Sequence, residues 1–70
     1  MRVLVTQQCY GDPEAYERDV CIPLDKIVYF CTFEKPDSAA HSRIILVTGQ
    51  DLKVTASLTS IRAAFREDGR

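Results

Sequence analysis

The chain has 70 residues, of which 46% are hydrophobic and 27% charged, and its formal net charge is −1. This length holds one domain, and the composition is that of a folded protein rather than a disordered segment. A net charge so close to zero creates no overall positive field, which disfavours nucleic acid and anionic lipid as partners. A domain this small buries only about 60% of its unfolded surface, so it gains most from a partner chain, a metal or disulfides.

The residues after Met1 predict no secretory signal peptide, because only three apolar residues precede the polar run that starts at Thr6. Along the whole sequence, apolar runs fall well short of the roughly 20 residues that a membrane-spanning helix needs. We therefore expect a soluble, cytoplasmic protein with no membrane partner.

The three cysteines, Cys9, Cys21 and Cys31, are an odd number at wide spacings, and the sequence has no Cys-x-x-Cys pair. The favoured interpretation is reduced cysteines that pack as small buried apolar residues. A disulfide between Cys9 and Cys21 is the alternative. We predict no metal site and no cofactor.

Residues 1–8 predict a first strand at the edge of a sheet, since Leu4 is the one apolar residue on its second side. Residues 9–19 follow as an acidic connector, in which Asp12 could cap a helical turn that starts at Pro13. A solvated surface loop is the favoured interpretation of its acids, and a metal or basic partner is the alternative.

Residues 20–33 form the longest β-type run, with Pro23 at its start or at a break. From Ile27 onward both sides of the strand are apolar, which is typical of a central strand covered on two faces. The loop that follows contains His41, which we interpret as a loop histidine without a catalytic role.

Residues 43–57 predict a hairpin around Thr48-Gly49-Gln50. A two-residue loop puts Ile45 and Val47 on the face of Leu52 and Val54, whereas a three-residue loop reverses this pairing. We expect the two-residue loop.

A short helix follows the hairpin and begins near Ser57 or Thr59, either of which can cap it. Its apolar stripe is expected to cover the face that carries Ile45 and Val47. The predicted fold class is therefore α+β, a small antiparallel sheet of about four strands (β-β-β-β-α) with one C-terminal helix packed on one face.

One short helix covers one face of a sheet, so the second face is predicted to stay open and apolar. We expect this face to bind a second copy of the chain, as a homodimer, or another protein. In the alternative arrangement, the connector covers the face with Tyr10 and Tyr16. The candidate interface residues are Val28, Phe30, Ile44 and Leu46.

The order of strand, loop, hairpin and helix resembles the small FlbD/SwrD-like flagellar proteins and the first half of the LytTR DNA-binding domain. The resemblance implies a bacterial protein with a non-enzymatic, regulatory role. LytTR domains are longer, and FlbD-like proteins lack the acidic connector, so no DNA-contacting residue carries over. The matching positions are Ile22, Leu24, Ile27, Gly49, Val54, Ser57, Leu58 and Ile61.

The leading hypothesis is a small protein-binding or regulatory module that is not an enzyme. The sequence has a single histidine and no phosphate loop, and nothing in it brings a cysteine to His41 as a nucleophile pair. The alternative is a LytTR-like, nucleic-acid-binding transcription regulator. In that alternative one basic surface is formed by Arg43, Lys53, Arg62 and Arg66, together with Arg70.

Overall fold

The computed structural model describes residues 2–12 and 15–68 of the chain, and it describes the side chains up to residue 66. The described residues form an antiparallel sheet and one C-terminal helix, which confirms the α+β class. In chain order the elements are β1 (Val3–Tyr10), β2 (Tyr16–Pro23), a 3-10 turn (Leu24–Lys26), β3 (Ile27–Thr32), β4 (Ser42–Leu46), β5 (Asp51–Val54) and α1 (Leu58–Asp68).

The sheet has five strands in the order β2-β1-β5-β4-β3, and all neighbours are antiparallel. The additional strand arises because the 3-10 turn divides the predicted run of residues 20–33, and because residues 16–19 of the acidic connector extend β2 by pairing with residues 7–10. Rings of Tyr10 and Tyr16 stack across this pair with centroids 5.6 Å apart. The prediction that residues 9–19 form a surface loop is therefore wrong for residues 16–19, which lie in β2. The helical turn that Asp12 was predicted to cap begins at Pro13, which lies outside the described residues.

The sequence predicted the first strand at an edge of the sheet and the strand from Ile27 onward at its centre, and both positions are wrong. β1 pairs with both β2 and β5, so it is not an edge strand. β3 pairs with β4 alone and forms one edge. Its apolar residues on both sides had suggested a central strand, but Val28 and Tyr29 are mostly exposed.

The 3-10 turn shows that the sheet is strongly curled. Four Cα–Cα steps lead from Pro23 to Ile27, so β2 and β3 are at most about 15 Å apart at this end. The edges of a flat five-stranded sheet would be about 19 Å apart. The amide of Leu24 donates to Arg2 O (3.0 Å) and that of Val47 to Lys26 O (2.8 Å), which ties the turn to both sides of the sheet.

Curling gives the sheet a concave face, and α1 closes that face. Ile61 of α1 is fully buried there. The helix begins after Ser57, whose Oγ accepts a hydrogen bond from the Ser60 amide at 3.1 Å, as a capping residue does. The buried residues of the core are Leu4, Ile22, Leu24, Ile44, Leu52, Val54 and Ile61.

The β4–β5 hairpin has a three-residue loop, so the expected side-chain pairing is wrong. Leu46 N donates to Gln50 O (2.9 Å) and Gly49 N donates to Leu46 O (2.8 Å). Gly49 has φ of +90°, the conformation that completes a type I turn with a glycine bulge. Ile44 consequently pairs with Leu52 rather than lying on the opposite face.

A bulge in β3 also changes which side chains point inward. Ile27 is opposite Leu46 and Tyr29 is opposite Ile45, so Val28 is the extra residue. Ile27 therefore joins Phe30 against the core, whereas regular alternation along the strand would place it on the side of Tyr29.

The predicted open face is in fact the face that α1 covers. Ile44 is 0% exposed, and Phe30 and Leu46 pack against the core, so three of the four candidate interface residues lie on the covered side. Val28 alone of the four is exposed, at 60%. The sheet face that keeps exposed apolar side chains is instead the convex one, where Val5 is 71% and Tyr29 51% exposed.

Candidate functional site

A groove lies between the outer edge of β3 and the adjoining side of α1, and we call it the β3–α1 groove. It has a volume of about 520 Å³ and is open to solvent. Its lining residues are Ile27, Val28, Phe30, Arg62, Phe65 and Arg66.

Two stacked phenylalanines form the floor of the β3–α1 groove. The rings of Phe30 and Phe65 have centroids 5.6 Å apart and are nearly parallel, with an angle of 6° between their planes. Phe65 follows the fully buried Ile61 by one helical turn, so the packing of Ile61 fixes the position of the ring above β3. Both phenylalanines remain partly accessible from the groove.

The rim of the groove is positively charged. Arg62 and Arg66 are four residues apart on one side of α1, and both are exposed. Among the side chains that the structure describes, no carboxylate lines the groove, and neither guanidinium is ion-paired. The groove thus combines an apolar floor with two exposed cations that pair with no described residue.

The third component of the groove is the free backbone edge of β3. Phe33 N donates to His41 O at 3.1 Å, which places Phe33 in a hydrogen-bonded pair with its partner on the β4 side. Hydrogen-bonded and non-hydrogen-bonded pairs alternate along antiparallel strands. The pairs of Phe30 with Ile44 and Thr32 with Ser42 are therefore non-hydrogen-bonded, and the N–H and C=O groups of Phe30 and Thr32 point away from the sheet.

The convex face of the sheet, opposite α1, carries a charged cluster of Arg43, Asp51 and Lys53. Arg43 Nε and Nη2 each lie 2.7 Å from Asp51 Oδ2, and Lys53 Nζ lies 3.4 Å from Oδ1. The Oδ1 atom is buried and has this ionic contact but no hydrogen bond. The hydrogen bond from Arg43 lowers the pKa of Asp51 and raises the pKa of Arg43.

The four residues of the predicted basic surface do not come together. Arg43 and Lys53 lie on the convex face and share Asp51, whereas Arg62 and Arg66 lie on α1 beside the groove. Arg70 is outside the described residues. Sequence spacing could identify Arg62 and Arg66 as neighbours on a helix, but their closeness to β3 depends on how α1 crosses the sheet.

The three cysteines form no disulfide. Cys9 is buried as expected, but Cys21 is exposed, because it lies on the convex face opposite Val5. Cys9 is opposite Glu17 in the same ladder, so the Cys9–Cys21 pairing is absent.

Across the described ranges there is no group of three or more His, Cys, Asp or Glu residues that could hold a metal ion. The side chain of His41 lines a second, more polar cavity of about 400 Å³ within the loop after β3. The described part of the chain also has no helix long and apolar enough to cross a membrane.

No protein-family model, no curated protein and no solved structure matches this chain. The resemblance to FlbD/SwrD-like proteins and LytTR domains therefore stays a prediction.

Proposed function

We propose that the protein is a non-enzymatic protein-binding module that holds a segment of its partner in the β3–α1 groove. The observation that carries this proposal is the combination, in one place, of an accessible phenylalanine floor, two rim arginines and an exposed strand edge. Each supplies one component of peptide recognition: apolar burial, charge selectivity and backbone hydrogen bonding.

The shape of the groove favours a chain segment over a compact small molecule. A volume of about 520 Å³ would suit either ligand. However, the groove adjoins the edge of β3 at Phe30, and the outward backbone groups of Phe30 and Thr32 continue beyond it at the spacing of another strand. A small molecule would leave these groups to water, whereas an extended peptide can pair with them.

Nucleic-acid binding is the second candidate, and the charge distribution gives it less support. Two of the four candidate cations, Arg43 and Lys53, already interact with Asp51, and they lie on the other side of the sheet from Arg62 and Arg66. Binding to phosphates requires several cations on one surface.

Homodimer formation also stays a prediction, but Ile44 cannot contribute to it because it is buried within the subunit, whereas Val5 and Tyr29 are exposed on the convex face. A bacterial regulatory role rests on the resemblance alone.

Selection from a phage-displayed library of random dodecapeptides tests the proposal without assuming a partner. The selected peptides are measured against the wild type, Val28→Asp at the groove and Val5→Asp on the convex face. Val28 and Val5 are both mostly exposed, at 60% and 71%, so neither change removes a buried side chain. We expect binding to the wild type and Val5→Asp and at least about tenfold weaker binding to Val28→Asp. A library that yields no binders, or binders indifferent to Val28→Asp, would refute the proposal.

A further inference from the structure

We infer that the segment bound in the β3–α1 groove is an acidic, extended peptide that adds to β3 as a sixth strand. This inference rests on the proposed function and specifies the chemistry of the partner. It follows from the backbone of β3, the charge of the rim and the position of α1.

The backbone groups determine the conformation of the partner. The outward N–H and C=O groups of Phe30 and Thr32 are two residues apart on an edge strand. Such groups are a ready template for one more strand, and peptide-binding domains use this mode of recognition. A helical segment has used its own backbone groups internally and cannot pair with them.

The rim determines the charge of the partner. Arg62 and Arg66 are exposed and, within the described residues, have no carboxylate partner. A carboxylate beside the apolar floor would form charge-assisted hydrogen bonds to these guanidinium groups. A basic segment would instead bring like charges together at a partly desolvated site, which opposes binding.

The position of α1 determines the pattern of the side chains. Alternate residues of an added strand point to the same side. Those on the α1 side meet Phe30 and Phe65 at the floor and Arg62 and Arg66 at the rim. The expected pattern on that side is therefore an apolar residue next to an acidic one, with other residue types allowed on the convex side.

A second copy of the chain is a poorer occupant. Antiparallel pairing of β3 with β3 of another copy would place both helices on the same side of the joined sheet. Arg62 and Arg66 from each copy would then border one seam, where four positive charges repel one another. An acidic segment from another protein neutralises this charge instead.

Three kinds of synthetic nonapeptide, four peptides in all, test the inference by isothermal calorimetry and nuclear magnetic resonance. The acidic probe is Thr-Val-Thr-Glu-Thr-Val-Thr-Glu-Thr, with valine and glutamate on one side of the strand. The basic probe has lysine in place of glutamate. The third is the acidic probe with alternate amides N-methylated, prepared in both registers, which removes the donors that pair with β3.

We expect the acidic probe to bind at least about tenfold more tightly than the basic probe, and the preference to reverse in an Arg62→Glu/Arg66→Glu variant. N-methylation of the acidic probe in one of the two registers should also weaken its binding at least about tenfold. Equal binding of the acidic and basic probes, or unchanged binding after N-methylation in both registers, would overturn the inference.

The failure of this inference can be distinguished from the failure of the proposed function. If library peptides bind at Val28 but show neither acid preference nor sensitivity to N-methylation, the groove is a binding site and the sixth-strand inference is wrong. If neither the library nor the probes bind at the groove, both are wrong.

Discussion

The ring of Phe65 stacks on the ring of Phe30 with a centroid distance of 5.6 Å and an interplanar angle of 6°. This contact joins the second half of α1 to the edge strand β3, so it supports the fold and forms the floor of the β3–α1 groove. Stability and binding are therefore expected to depend on the same pair of residues.

Replacing Phe65 by alanine should lower the free energy of unfolding by about 1–3 kcal/mol, less than for a fully buried phenylalanine because the ring is partly exposed. Phe65→Leu keeps most of the apolar contact and loses the stacking, so its loss should be smaller. Urea unfolding followed by circular dichroism measures both. Equal stability of Phe65→Ala and the wild type would show that α1 does not pack on β3 in this way.

The register of the β4–β5 hairpin can be tested with two neighbouring isoleucines. Ile44 is fully buried on the concave face, whereas Ile45 is partly exposed on the convex face. Ile44→Ala should cost about 2–5 kcal/mol of unfolding free energy, and Ile45→Ala should cost clearly less. The reverse order in chemical denaturation would support the two-residue loop and contradict the structure.

Gly49 adopts a φ of +90°, and a Cβ atom added there would have no heavy atom within 4 Å. The cost of Gly49→Ala is thus a backbone cost, about 1–2 kcal/mol. Gly49→Asn should cost less, since asparagine tolerates positive φ better than alanine. Thermal unfolding of the two variants makes the comparison, and an alanine variant as stable as the wild type would argue against the three-residue loop.

Asp51 should make stability depend on pH. Its pKa is lowered in the folded state, chiefly by the hydrogen bond from Arg43. A lowered folded-state pKa gives stability that is present above the unfolded value, about pH 4, and is lost as pH falls through the folded value. Asp51→Asn should therefore lower the Tm at pH 7, and the difference from the wild type should shrink below about pH 4.

Asp25→Asn, in the 3-10 turn, is the control for this measurement, because Asp25 is exposed. A Tm difference for Asp51→Asn that stayed constant from neutral to acidic pH would contradict the role assigned to the Arg43–Asp51 pair.

The sequence was sufficient to predict the α+β class, the hairpin around Gly49 and the C-terminal helix, because each has a local signal of periodicity or turn chemistry. It was insufficient where one additional residue in a loop or a strand changes which side chains point toward the core. The position of Gly49 in the loop and the bulge at Val28 each reverse which side chains face the core. The predicted interface was consequently assigned to the covered face.

The groove could be predicted only in its parts. Arg62, Phe65 and Arg66 have helical spacing in the sequence, and residues 27–33 read as a strand. Their meeting depends on the curl of the sheet and on the three-residue turn that brings β2 and β3 together, both of which are tertiary features. The charges of residues 9–19 also concealed the first half of β2, which forms the edge of the sheet opposite β3.

The most direct test of the account is residue-resolved hydrogen exchange with and without the acidic nonapeptide. We predict slower exchange at the amides of Phe30 and Thr32, chemical-shift changes at Phe65, and no change at Val5 on the convex face. Unchanged exchange at Phe30 and Thr32 in the presence of bound peptide, or protection along β2 instead, would contradict the claim that the edge of β3 beside α1 is the binding surface.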